Sequence, residues 1–221
     1  MSNLEHDFQT PQPNKADIIP LRLKLRENGY CPVPVLGKRP PLPAWQNVCK
    51  TAGEYEIRRW SRDLPDAVST GILGGLVIGV DIDVLVPELA ERLTFKCAQI
   101  LGHTPLRRIG RAPKILFCYR VEAPINKLQT PDLFLDDRSK HKVEMLADGQ
   151  QFVAFGIHPD TGAPYRWGEQ SPLDTPLAEL PLVTEEALRR FKEEAEKIVR
   201  EAGGLTERER SERKRNETDR S

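Results

Sequence analysis

An α+β fold, with mostly antiparallel strands and helices on one face, is what the order of elements along this chain predicts. Three observations point to it. Residues 76–86 form an apolar, β-branched run interrupted only by Gly79, Asp81 and Asp83, the pattern of a buried strand. Residues 87–101 follow with apolar positions at helical spacing. The segments after them read as strand, strand, a long insertion, strand and strand, with no helix interposed, so neighbours pair antiparallel.

Taken in order, residues 1–16 are polar, contain Pro11 and Pro13, and are expected to be disordered. Pro20 suits the first turn of a helix that Gly29 would end. Residues 31–36 read as a strand, which Pro32 and Pro34 confine to a sheet edge because they lack amide hydrogens. Gly37-Lys38-Arg39-Pro40-Pro41 reads as a basic loop, 54–63 as a helix with Ile57 and Trp60 inward, and 70–75 as a strand and turn. The helix at 87–101 lines up Leu89, Leu93, Cys97 and Ile100 and stops at Gly102. Strands at 106–109 and 114–121 are joined by Gly110-Arg111-Ala112-Pro113, and 122–140 is a polar excursion.

Segments 142–146 and 151–155 read as a hairpin around Asp148-Gly149, and 165–167 as a short strand. Thr184 caps a helix running to about residue 202, with Glu185 and Glu186 favourably placed at its positive end and Gly203-Gly204 closing it. Leu188, Phe191, Ala195 and Ile198 form its apolar stripe. Residues 205–221 are charged, with almost nothing apolar, and read as a disordered tail, a linker or a frayed helix extension. The expected organisation is a main domain over 17–182, divided into an N-terminal α/β module (17–75) and a larger sheet module (76–170). A helix at 183–204 and the tail complete it.

The 33 Lys/Arg balance 33 Asp/Glu, so global charge points to no partner, but its distribution does. Residues 20–62 carry nine Lys/Arg against three acids, 63–104 two against six, and 105–145 nine against five. An acidic pocket between basic walls suits a metal with a polyanionic substrate; ordinary surface charge is the plainer alternative. Cys31, Cys49, Cys97 and Cys118 match no zinc spacing and read as buried free thiols. No apolar run reaches the roughly 18 residues of a membrane span, and a soluble, cytoplasmic protein is expected.

The chemistry is concentrated in Asp81 and Asp83. A strand has a period of two, so both carboxylates leave one face. Their repulsion and desolvation would be relieved by a divalent cation, which brings phosphoryl or nucleotidyl transfer to the fore; a strand ending in solvated acids remains the other possibility. Glu144, a lone acid in Val143-Glu144-Met145-Leu146, would complete a three-carboxylate cage if its strand lies beside that of Asp81. Arg107, Arg108, Arg111 and Lys114 cluster between two strands and suit a triphosphate grip, or a solvated basic turn. Gly156-Ile157-His158-Pro159-Asp160-Thr161-Gly162 is turn chemistry that could hold His158 at the sheet rim. Lys38 and Arg39 suit template or phosphate contact, or plain solvation. Trp45, Trp60, Tyr165 and Trp167 are mostly core candidates, any one of which could instead stack a base.

Taken together these residues resemble the primase–polymerase (prim-pol) domain of the archaeo-eukaryotic primase superfamily, and more narrowly the bifunctional DNA primase/polymerase domains of plasmids and prophages. The matching series runs Asn28-Gly29-Tyr30, Pro32-Val33-Pro34-Val35, Gly37-Lys38-Arg39-Pro40 with Trp45, Gly71-Ile72-Leu73 and Val80-Asp81-Ile82-Asp83. It continues through Arg108-Ile109-Gly110-Arg111-Ala112-Pro113-Lys114, Val143-Glu144, and the His158 turn with Tyr165 and Trp167.

The resemblance covers roughly residues 18–170 and implies an RNA-recognition-motif-like catalytic sheet packed on a smaller N-terminal α/β module. It implies that Asp81, Asp83 and Glu144 are catalytic and metal-binding, and that NTPs or dNTPs are joined on a single-stranded DNA template using two Mg2+ or Mn2+ ions. A replicative helicase, fused or separate, is the implied partner, although the sequence holds no Gly-x-x-x-x-Gly-Lys-Ser/Thr motif. One departure stands out. Many members carry Ser-x-His where this chain reads Arg111-Ala112-Pro113-Lys114, so Lys114 stands roughly in the histidine's place and His158 could supply the imidazole. The other readings are a catalytically weak module that binds nucleotide or single-stranded DNA, a metal-dependent nuclease, and a structural domain. The last leaves the acid pair in an apolar strand unexplained.

Overall fold

The computed structural model describes residues 18–136 and 139–218; the segment 1–16, expected to be disordered, lies outside the described residues. The helices are α1 (Ile18–Glu27), α2 (Trp45–Thr51), α3 (Glu54–Asp63), α4 (Pro87–Leu101), α5 (Glu185–Glu201) and α6 (Glu207–Thr218). The strands are β1 (Pro32–Val35), β2 (Ser69–Leu73), β3 (Val77–Asp83), β4 (Arg107–Ile109), β5 (Ile115–Arg120), β6 (Leu128–Gln129), β7 (Leu133–Phe134), β8 (Lys140–Leu146), β9 (Gln151–Phe155) and β10 (Arg166–Trp167). They form two sheets, a three-stranded one in the order β1-β2-β9 and a seven-stranded one in the order β10-β4-β5-β3-β8-β6, with β7 paired to β8. Every ladder between these strands is antiparallel, as an α+β fold requires.

The alternation along β3 decides the layering. Ile78, Val80 and Ile82 point to one face and meet Leu89 and Leu93 of α4 and Leu188 and Phe191 of α5. Val77 points the other way, with Leu116 and Cys118 of β5, onto Ile72 and Phe152 of the small sheet. Fully burying each such side chain stabilises the fold by about 1.5–3 kcal/mol. Gly79 lets the two sheets close on each other, since a Cβ there would lie 2.9 Å from Phe152 Cδ1 and 3.2 Å from Leu116 Cδ1. A third cluster, including Val33, Ile57, Trp60, Val153 and Tyr165, fills the space between the small sheet and its helices. The proline-bearing β1 is an edge strand, and all four cysteines are free thiols, three buried and Cys31 partly so.

Two expectations change, and three elements are added. Strands β8 and β9 are not a hairpin: β8 lies beside β3 in the large sheet and β9 beside β2 in the small one. The chain crosses between sheets at the Asp148-Gly149 turn, and β2 to β3 crosses at the same level. The crossings are tied by Gly74 N donating to Gln150 O at 2.8 Å. The small sheet therefore takes a strand from 151–155 and is not built from residues 17–75 alone. Residues 207–218, expected as a tail, linker or frayed extension, form α6. Its first turn is capped by Thr206, whose N–H donates to Glu209 Oε2 at 2.7 Å, and Arg200 Nη1 holds both Glu209 oxygens at 3.1 Å. Pairs Arg208–Glu212 at 2.8 Å and Arg213–Glu217 at 3.0 Å support the helix along its length. Helix α2 lies in a stretch not assigned from sequence, and β6 and β7 lie in the stretch read as a polar excursion.

Candidate active site

Strand β3 ends with Asp81 and Asp83 on the face away from α4 and α5, as the period of two requires. The ladders place a row of residues on that face. Asp81 stands opposite Glu144 on β8 and opposite Leu116 on β5; Leu116 stands opposite Arg108 on β4, and Arg108 opposite Trp167 on β10. The small sheet covers the Trp167 end of this row and leaves the Asp81 end open as a cavity of about 290 Å³. Asp81 and Asp83 supply one wall; Arg108, Arg111 and Lys114 supply a second. Lys38 and the His158–Asp160 turn come from the small-sheet side. Seven of the ten charged or histidine residues singled out from sequence thus line one cavity, although they come from segments more than a hundred residues apart.

The other three do not line it. Arg107, next to Arg108 on β4, pairs instead with Glu169 at 2.6 Å. Arg39 sits in the turn after β1, its N–H bonded to Leu36 O at 3.0 Å, and is exposed. Glu144 is opposite Asp81 in register, but its carboxylate pairs with Lys127 at 2.5 Å and Lys142 at 3.1 Å. Among the described residues no three His, Cys, Asp or Glu side chains are arranged to hold a metal ion.

The charges are tightly arranged. Asp83 is ion-paired with Lys114. Burial pushes the Asp81 carboxyl up to about 6; Arg108 opposes that rise, and Asp83 and Glu144 add to it. Burial also raises Glu144, but its two lysines outweigh this and hold it below its ordinary value. Arg108 is almost fully buried: its Nη1 donates to Val153 O, and its guanidinium lies over the Tyr165 ring, 4.8 Å from the centroid. The His158 Nδ1 accepts from Asp160 N–H at 3.2 Å, and the ring lies 5.3 Å from that of Tyr165. Burial, then Lys38, holds His158 below its ordinary pKa, so the ring is neutral near pH 7 with its Nδ1 occupied as an acceptor. Lys38 meets Asp160 at 3.2 Å and closes the rim between two loops.

Gly110 is needed for close approach. A Cβ there would lie 2.5 Å from Tyr165 Cε1 and 2.8 Å from His158 Cδ2, so both rings rest against the bare backbone. Sequence reasoning gives no part in the site to three contributors, Asp160, Lys142 and Lys127, and gives Tyr165 as a core candidate that could stack a base. Tyr165 reads as core from its apolar surroundings, and it does belong to the core cluster while also lining the cavity. Asp160 reads as turn chemistry only. Lys142 sits two residues before Glu144 on the same strand face, a signal that was there to be read. Lys127 lies in the polar excursion and carries none.

No curated protein matches the chain. Residues 21–183 match a family model, Prim-Pol, described as bifunctional DNA primase/polymerase, N-terminal. That span covers both sheets and every strand that lines the cavity, and stops just before α5. The chain therefore belongs to the bifunctional DNA primase/polymerase N-terminal family.

Proposed function

We propose that the chain is a DNA primase/polymerase domain that joins NTPs or dNTPs on a single-stranded DNA template, with Mg2+ or Mn2+ as cofactor, in the replication of a phage, prophage or plasmid-like element. The observation that carries this reading is one cavity with two adjacent aspartates on one wall and a set of lysines and arginines on the others. That is the charge pattern a metal-bound triphosphate would neutralise. Family membership supports the reaction class.

The residues fit a divalent cation. Asp81 and Asp83 offer hard oxygen donors side by side, and Mg2+ is commonly held by one or two carboxylates together with substrate phosphates. Burial beside other acids makes the Asp81 carboxylate costly to ionise without a cation, as its raised pKa records. Glu144 would serve a second ion, and its lysine pairs compete for that role. Bound ions would activate the attacking 3′-hydroxyl and neutralise charge on the triphosphate and the departing pyrophosphate.

The chain's own part is positional. Arg108, fixed by Val153 O and Tyr165, offers a preoriented guanidinium at the cavity floor. Lys114, Arg111 and Lys38 reach the same space as phosphate ligands. His158, neutral and nearly buried, presents Nε2 as a donor without adding charge. A helicase partner would act on the template beyond this cavity.

The second reading, a module that binds nucleotide or single-stranded DNA with little catalysis, draws on the lysine partners already held by Asp83 and Glu144. Extension of a pre-annealed primer with labelled dNTPs and Mn2+ separates the two. Products from wild type that fall at least about a hundredfold in Asp81→Ala support the polymerase. Nucleotide binding without any product, equal in both proteins, favours the binding module.

A further inference from the structure

Asp83 and Lys114 lie just beyond the Ile82–Ile115 pair that ends the β3–β5 ladder, and their side chains are joined in an ion pair. Both are largely shielded, with exposures of 32% for Asp83 and 28% for Lys114. Lys38 and Asp160 on the rim are 49% and 57% exposed, where solvent screens the attraction. The inner pair is therefore the one whose breaking matters, because each partner, once parted, is left partly desolvated.

Under the function proposed above, each partner of this pair has a second task. The Asp83 carboxylate is a cation ligand, and the Lys114 ammonium is a phosphate ligand. Neither task can be fully met while the two hold each other. We propose that the Lys114–Asp83 pair is a lock that couples loading of the divalent cation to loading of the nucleotide. A cation alone must pull Asp83 from Lys114 and leave the ammonium bare beside new positive charge. A triphosphate alone must pull Lys114 from Asp83 and leave that carboxylate bare beside Asp81, already costly to ionise. When both arrive, the cation takes Asp83, the triphosphate takes Lys114, and no charge is left without a partner. Coupling of this kind is reciprocal: the nucleotide tightens the cation as much as the cation tightens the nucleotide. The consequence is a site that resists filling by free cations and assembles on the complete substrate. Lys114 is thus a positioning residue as well as a phosphate ligand.

The test is binding of Mn2+ alone to the full chain without nucleotide, measured by titration calorimetry. Lys114→Met keeps the shape and removes the charge. It is expected to bind Mn2+ about tenfold more tightly than wild type, a coupling in the usual range. Lys114→Arg keeps the pair and should stay near the wild-type affinity, and Asp83→Asn should weaken Mn2+ in both backgrounds. Arg111→Met takes one charge from the same cavity without touching the pair, and is expected to change Mn2+ affinity less than about threefold. A Lys114→Met effect no larger than that of Arg111→Met overturns the lock, while weakening by Asp83→Asn leaves the metal site standing. Mn2+ binding indifferent to Asp83→Asn overturns the metal site itself, and the lock with it.

Discussion

At the scale of single residues, the cavity concentrates groups held in unfavourable states, and each makes a prediction. His158 is depressed below its ordinary pKa of 6.5 by burial and by Lys38. The unfolded chain therefore takes up the proton first, so the stability contributed by the neutral ring is complete above about pH 6.5 and is lost as pH falls below it. The stability difference between wild type and His158→Asn, from urea unfolding, is expected to shrink between pH 7 and pH 5; a constant or growing difference contradicts this origin. Asp81 is an acid whose burial Arg108 and Lys114 compensate only in part in the metal-free protein. Asp81→Asn is expected to raise stability in EDTA at pH 7.5 by on the order of 2 kcal/mol while removing activity. A variant less stable than wild type would mean that the carboxylate is structural. At Gly110 the added Cβ would strike Tyr165 and His158. Gly110→Ala should cost about 1–3 kcal/mol, and a change under about 0.5 kcal/mol would show that the rings can move aside. Of these residues, Asp81 and Asp83 are legible in the sequence because two acids at strand spacing in an apolar run leave one face together, which a bound cation explains as well as a strand ending in solvated acids. Gly110 is legible only as a turn, since the rings it accommodates arrive from residues 158 and 165.

At the scale of elements, local signals carry well where capping and amphipathic spacing agree. Helix α4 spans the limits the pattern sets, and α5 begins at the Thr184 cap, whose Oγ1 accepts from Ala187 N at 3.1 Å. Thr184→Ala should therefore lower stability by about 1 kcal/mol in thermal or urea unfolding. Helix α6 has no apolar face, which is why a hydrophobic pattern cannot find it. Its Thr206-x-x-Glu209 capping box was the available sign. Glu209→Ala should reduce far-UV helical signal, since it removes both the cap and the Arg200 pair. Unchanged ellipticity would mean that the side-chain pairs alone hold α6. The turn at 148–149 is a true turn, yet β8 and β9 part into different sheets. Turn chemistry reports where the chain reverses; which strand lies alongside is decided by β2 and β3, which lie seventy residues away in sequence.

At the scale of the whole molecule, the site exists because two sheets meet. The large sheet supplies the acids and the Arg108–Lys114 wall, and the small sheet supplies Lys38 and the His158 turn. No segment of the sequence holds both, so the charge alternation along the chain hints at a basic-walled acidic site without fixing its members. The position of Glu144 shows the limit most clearly. Its strand neighbours that of Asp81, as a three-carboxylate cage requires, but the two lysines that hold its carboxylate come from β8 itself and from the excursion before it. The central claim is that this inter-sheet cavity performs metal-dependent nucleotidyl transfer through Asp81 and Asp83. Primer synthesis on single-stranded DNA, with labelled NTPs or dNTPs and Mg2+ or Mn2+, tests it most directly, with wild type and Asp81→Ala/Asp83→Ala side by side and both confirmed folded by thermal unfolding. Labelled oligomers from wild type alone, abolished by EDTA, are the expected result. Oligomers made equally by the folded double variant would contradict it.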